Sequence, residues 1–289
     1  MIYTIGIHDG HNCGATIAKN GVILSSYQEE RFTRKKNQVG FPFISIKKIF
    51  DDYNLSDTDI HSYYFSSKFM HQTDYLINIE SWYKKNYNDQ KLELSKPKHY
   101  EKKIFKIRKD ERINDLIKCC KVAKEKIFFL DHHSCHLYAA YYCSPFNKYK
   151  KNILGITADG SGDNNSATVS IIKNNKFKVI SKSSRHASLG KIYSRITLLL
   201  GMKPWEHEYK VMGLAPYSND KLVKNELVKF ENLLRVNKKK LIFEQKTRLS
   251  MNYIMEHLLE NFKFQRFDTI AGTVQKFTEN MMIQYIKEA

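Results

Sequence analysis

The chain is short of arginine, of patterned cysteine and of long apolar runs, and each shortage narrows its class. No apolar stretch approaches the roughly 18 residues that a membrane-spanning helix needs, so no membrane partner is expected. The opening Met1-Ile2-Tyr3-Thr4-Ile5 lacks a basic stretch followed by an apolar one, so no secretory signal is expected. The five cysteines (Cys13, Cys119, Cys120, Cys135, Cys143) include no C-x-x-C pair and form no regular framework. A reduced, cytoplasmic setting follows. Of 48 basic residues only 9 are arginine, the side chain whose planar fork reads phosphates and bases. The net charge of +18 is therefore mostly scattered lysine, and nucleic acid is not the expected partner.

What the chain does have is a length of 289 residues with 42% hydrophobic and 13% aromatic side chains, ample for a packed core. It also has an internal repeat. Ile5-Gly6-Ile7 reads as a strand, followed by Asp9-Gly10, a strand at Ala15-Thr16-Ile17, a turn at Asn20-Gly21 and a strand at Val22-Ile23-Leu24. The order recurs later. Ile153-Leu154-Gly155-Ile156 leads to Asp159-Gly160, then Ala167-Thr168-Val169-Ser170-Ile171, a turn at Asn174-Asn175, and Phe177-Lys178-Val179-Ile180. Two α/β lobes are expected, each with an Asp-Gly at the mouth of a cleft between them.

Between the repeats, apolar spacing predicts a helix over Ser45–Tyr53, a strand over Ser62–Ser66, a buried strand at Ile127–Leu130 and a helix over His133–Tyr142. Residues 74–125 are polar and Lys-rich, with helical stretches around Trp82 and around Ile113-Leu116-Ile117, and read as a solvated helical insertion. After the second hairpin, helices are expected over Leu189–Leu200, Asp220–Leu234, Met251–Phe262 and Asp268–Glu288, with one short strand at Leu241-Ile242-Phe243. The second lobe thus lacks counterparts of the first lobe's two later strands. A parallel sheet left open at its edge is unfavourable, so the second lobe is expected to be incomplete or to need a partner chain.

The sharpest chemical signal is Asp131-His132-His133-Ser134-Cys135-His136. His132 and His136 are four apart and share a helical face, a spacing that suits one metal ion. The stretch follows a strand, the edge at which open α/β sheets bind ligands. The stretch is not H-E-x-x-H, so a peptidase reading lacks its base. Asp159 offers a third ligand, and a His/His/carboxylate set suits iron or another transition metal. Gly160-Ser161-Gly162 follows, where glycines let backbone N–H groups approach phosphate. The first repeat offers His8-Asp9-Gly10-His11-Asn12, in which His8, Asp9 or His11 is a candidate base. Glu29-Glu30-Arg31-Phe32-Thr33-Arg34-Lys35-Lys36 is a candidate oxyanion clamp, and Glu206–Tyr217 a candidate functional loop.

Taken together, IGIHDGHNCGATIAKNG, EERFTRKKNQVGFP, DHHSCHLYAAYYCSPF, ITADGSGD, SLGKIYSRITLLLGMKPWEHEYKVMGLAPYS and DTIAGTVQKFTE run from residue 5 to about 278. They resemble the NodU/CmcH-type O-carbamoyltransferases of nodulation-factor and antibiotic biosynthesis. The resemblance implies an α/β fold of the actin-like ATPase superfamily, built of duplicated ribonuclease-H-like lobes. Residues 1–151 would form the first lobe, with the Lys-rich insertion near 70–125, and 152–289 the start of the second. The rest of that lobe and a YrdC-like domain would follow. That further domain would make carbamoyl adenylate from carbamoyl phosphate and ATP, and the domain read here would pass the carbamoyl group to a hydroxyl of a sugar or secondary metabolite.

Residue by residue, His132, His136 and Asp159 match the family's metal ligands, with iron (Fe2+) implied, and a further Asp ligand would fall beyond Ala289. His11 and Lys36 match positions near the transferred carbamoyl group, and Asp9 is grouped with them. Glu208, Lys210 and Gly213 match the loop lining the cleft, and Gly160, Ser161 and Gly162 are grouped with these as co-substrate contacts. Two other readings remain: a relative of the tRNA threonylcarbamoyl transferases with tRNA on the segment 84–126, and a non-catalytic fragment that keeps only the binding cleft.

Overall fold

The computed structural model describes residues 1–70, 86–96, 98–149 and 151–289. The helix expected around Trp82 lies outside the described residues. The chain packs as two units, Met1–Asn78 with Pro97–Cys135, and Ile79–Lys96 with His136–Ala289. The division falls within the helical residues 132–142.

In the first unit, β1 (Tyr3–His8), β2 (Gly14–Lys19) and β3 (Val22–Gln28) form an antiparallel meander. Asn20 and Gly21 turn it with φ of 49° and 82°, the left-handed pair that a two-residue hairpin with the right twist requires. After α1 (Glu30–Thr33) and α2 (Phe43–Tyr53), β4 (Ile60–Phe65) pairs parallel with β1, and β5 (Ile127–Phe129) pairs parallel with β4. The sheet order is β3-β2-β1-β4-β5. Alternation along β1 buries Ile5 and Ile7, which pack with Ile17, Ile46, Ile49, Ile60, Tyr63 and Phe65 into one core. Contrary to expectation β5 is not a buried strand. It closes the sheet as an edge strand, with Phe128 44% exposed.

The Lys-rich insertion supplies α3 (Tyr87–Ser95), packed in the second unit, and α4 (Lys98–Cys120) in the first. It is not wholly a solvated face. Arg108, Arg112, Leu116 and Cys120, four residues apart, form a buried stripe along α4. Its lower half joins the core and its upper half is cationic.

Helix α5 (His132–Tyr142) leads into the second unit, where β6 (Ile153–Gly162), β7 (Asn165–Lys173) and β8 (Lys176–Ser184) repeat the meander. The two copies agree in detail. In β2–β3 the register slips after Ile17, leaving Leu24 as the extra residue, and in β7–β8 it slips after Val169, leaving Ile180. These slips follow Ala-Thr-Ile and Ala-Thr-Val, the same point of each repeat. A bulge at one register position in both hairpins is a specific structural feature, and it supports duplication more strongly than the turns alone.

The remainder is α6 (Leu189–Leu199), α7 (Glu208–Leu214), α8 (Asp220–Glu231), β9 (Leu234–Asn237), β10 (Ile242–Gln245), α9 (Met255–Phe262) and α10 (Phe267–Glu288). Helix α10 buries Ile270, Val274, Phe277, Met281 and Tyr285, the face its spacing predicts. Three expectations are corrected. The segment 206–217 is not a loop, since Glu208–Leu214 is helical. The helix expected to reach Leu234 ends at Glu231, because Leu234 opens a hairpin with β10. The helix expected from Met251 starts at Met255. No described helix is long and apolar enough to cross a membrane.

The paired acids of the basic cluster satisfy backbone donors. Buried Glu29 accepts from Ile44 N (2.9 Å), Ser45 N (2.8 Å) and Ser45 Oγ (2.7 Å), the open donors at the start of α2. Glu30 accepts from Asn37 N at 2.7 Å. Replacing Glu29 by Ala leaves those donors buried without their acceptor. Loss of about 2 kcal/mol is expected in denaturant unfolding, with Glu30→Ala costing less than half of that.

Candidate functional site

Parallel strands β1, β4 and β5 end on the same edge of the first sheet, which brings three short segments together. They are the turn His8–Asn12, the pair Ser66-Ser67, and Leu130–His132 at the start of α5. The ladder continues past the strands, with Ser66 N donating to Ile7 O and Leu130 N to Phe65 O, both at 2.9 Å.

The three candidate bases of the turn are placed differently. Asp9 is fully buried and both its oxygens are held by Arg112, Oδ2 by Nε at 2.6 Å and Oδ1 by Nη2 at 2.9 Å. His8 is bridged: Nε2 lies 2.9 Å from His11 O and Nδ1 lies 2.9 Å from Ser66 Oγ. A carbonyl only accepts, so Nε2 carries a proton, and in the neutral ring Nδ1 accepts from the hydroxyl. Burial lowers the His8 pKa below its ordinary 6.5; Asp9 and the His11 carbonyl oppose this, and His132 and Arg112 add to it. A neutral His8 satisfies the bridge at both ring nitrogens. His11 is half-buried, its ring 6.0 Å from that of His8 and edge-on to it.

The segment bearing Lys36 is tied to this turn by backbone bonds, Cys13 N to Gln38 O (3.0 Å) and Gly40 N to Gly10 O (3.3 Å). Lys36 itself is exposed. Cys13, buried beneath the turn, has its thiol pushed up to about 12 by burial and by the charges of Glu29 and Asp9.

Helix α5 carries both metal-ligand candidates and is docked on the second meander through Leu137 and Tyr141, which pack with Ile172. His136 Nε2 lies 4.0 Å from Asp159 Oδ2. His132 lies one turn earlier on the same helix, on the face it shares with His136. The His136–Asp159 pair sets an imidazole beside a carboxylate, donor types that suit a first-row transition metal.

Gly160-Ser161-Gly162 continues β6 and does not form a glycine loop; the turn follows at Asp163 and Asn164, with φ of 47° and 68°. Gly160 serves close packing instead. A Cβ on Gly190 would lie 2.9 Å from the Gly160 backbone, and Ser188, the cap of α6, donates to Gly160 O at 2.6 Å. The N-terminus of α6 is thereby pressed onto Asp159-Gly160. Sequence reading missed Lys191, which lies on the first turn of that helix, 3.9 Å from where a Gly160 Cβ would be. Its ammonium is 6.0 Å from the Trp205 ring. It also missed Trp205, whose φ of 69° is unusual for a bulky residue and marks local strain. Glu208 holds it by accepting Trp205 N at 2.8 Å, so Glu208 joins this group. Lys210 is exposed beside Tyr209, and Gly213 is exposed with open space where a Cβ would be.

Residues 3–289 match the family described as carbamoyltransferase N-terminus, and the chain belongs to that family. It is 30% identical to an uncharacterized protein of Methanocaldococcus jannaschii, over 93% of this chain and 47% of that protein. It is 27% identical to the nodulation protein NolNO of Sinorhizobium fredii, over 74% of this chain and 28% of that protein. The chain thus spans about half the length, or less, of these curated relatives. The (R)-2-hydroxyglutaryl-CoA dehydratase component A of Acidaminococcus fermentans aligns over 98% of this chain and 79% of its own, at TM-score 0.42 and 14% identity. The fold assignment rests on the chain's own topology.

Because the folded His8 pKa is lowered, the unfolded chain takes up the proton first as pH falls. Stability contributed by neutral His8 is present above pH 6.5 and is lost as pH drops below it. Urea midpoints measured from pH 7.5 to 5 are expected to fall in wild type, and to fall less steeply in His8→Asn.

Proposed function

We propose that this chain is the carbamoyl-transferring domain of an O-carbamoyltransferase. It would pass a carbamoyl group from carbamoyl adenylate, made elsewhere from carbamoyl phosphate and ATP, to a hydroxyl of a sugar or related acceptor. The observation that carries the reading is the meeting, on one sheet edge, of the His8–His11 turn with His132, in a chain of the carbamoyltransferase N-terminus family.

The geometry supports the following roles. Asp9 is engaged by Arg112 and His8 by the His11 carbonyl, so the proton-accepting role falls to His11. The acceptor oxygen bonds to the carbamoyl carbon, the adenylate oxygen leaves with its electron pair as AMP, and the hydroxyl proton passes to the His11 imidazole. Lys36, on the segment bonded to this turn, offsets the developing negative charge. His132, His136 and Asp159 would hold the metal, iron by the family resemblance, which when bound supplies a Lewis acid for the donor's oxygens. Lys191 adds positive charge beside Asp159-Gly160, suited to an anionic leaving group.

The full-length protein tests this. One iron-class ion per chain is expected by elemental analysis, lost in His132→Ala and in His136→Ala. His11→Ala is expected to keep the ion and to lower carbamoyl transfer to a sugar hydroxyl about 100-fold or more. Protein without stoichiometric metal overturns the ligand assignment, and full activity in His11→Ala overturns the base.

A further inference from the structure

Arg112 comes from the Lys-rich segment, yet it is 1% exposed and lies at the centre of the first unit's site. Besides its two bonds to Asp9, Nη1 donates to Ser67 O at 3.1 Å and Nη2 to Ser67 Oγ at 3.3 Å. Its guanidinium is sandwiched between the rings of Phe65 and Phe129, 4.5 and 4.8 Å from their centroids. Arg108, one turn earlier, stands 3.7 Å from Asp9 and pairs with Glu111 at 3.0 Å. Desolvating two charges is costly, and apolar side chains of like volume would stabilise a core as well or better. A buried pair of this kind fixes positions. Here the positions are the ends of β1 and β4. Arg112 clamps Asp9 and Ser67, while His8, next to Asp9, is bonded to Ser66, next to Ser67.

We infer that Arg112 is a positioning residue for the proposed transfer. Through Asp9 and Ser67 it fixes the turn that aims His11, so that α4 is a working part of the site. The inference rests on the transfer reading above, but its geometric content does not. Lysine cannot replace it, because a point charge lacks the planar fork that engages both carboxylate oxygens while reaching Ser67.

The test compares full-length wild type with Arg112→Lys by circular dichroism and thermal unfolding, steady-state transfer to a sugar acceptor, and ¹⁵N NMR of the His8 ring, assigned by its loss in His8→Gln. Wild type is expected to show a single Nε2–H tautomer of His8. Arg112→Lys is expected to unfold cooperatively, to show mixed His8 tautomers, and to lose about 10- to 100-fold in kcat with KM for the acceptor changed less than about threefold. A folded Arg112→Lys with wild-type kcat and an unchanged His8 tautomer overturns the inference. So does a wild-type His8 that already samples both tautomers. Should Arg112→Lys not fold, Phe129→Leu, which removes one ring of the sandwich, is expected to shift the same two readouts in the same direction, and no shift overturns the inference. Absence of transfer in wild type defeats the function reading alone, because the tautomer measurement still decides the role of Arg112.

Discussion

The parallel pairing of β1 with β4 and of β4 with β5 is the constraint from which the first unit's chemistry follows. Antiparallel neighbours end on opposite sides and would scatter the residues after each strand. Parallel neighbours deliver theirs to one edge, here the His8–His11 turn, Ser66-Ser67 and His132. The edge also concentrates polar groups that a core cannot absorb. The structure answers with local closure, in which Asp9 is neutralised by Arg112 and the His8 ring bonds at both nitrogens.

The second meander meets a related demand with smaller parts. Glycine at 160 and at 190 allows backbone to touch backbone, bringing the start of α6 onto Asp159. Ser188 both caps the helix, by accepting from Lys191 N at 3.0 Å, and bonds the strand. A helix end so placed presses its first turn onto the backbone of Asp159, whose carboxylate faces His136.

Much of this was legible from residue order alone. The strands of both meanders, their Asn-rich turns and the buried face of α10 followed from local patterns, because apolar periodicity and left-handed turn residues act over a few positions. The His132/His136 pair was legible for the same reason: helical spacing is local. The failures were non-local. Residues 206–217 carry Gly and Pro yet fold as helix, and Leu234 leaves a predicted helix because β10, eight residues on, offers it a hairpin. The acids of EERFTR were read as a clamp because they sit beside basic residues in sequence, whereas Glu29 is used 15 residues later by α2. Arg112 lies 103 residues from Asp9. Its only sequence signal was a four-residue spacing with Leu116 and Cys120, drowned by the surrounding lysines.

Cys13 follows directly on the His8–Asn12 turn. Peroxide and other oxidants attack thiolates far faster than thiols. With its acid strength cut by burial and by two neighbouring carboxylates, Cys13 stays in the sluggish form at any physiological pH. The turn can therefore keep a small, well-packed sulfur without exposing an easily oxidised one. Oxidation of this chain should therefore spare Cys13 and fall first on thiols that are less buried.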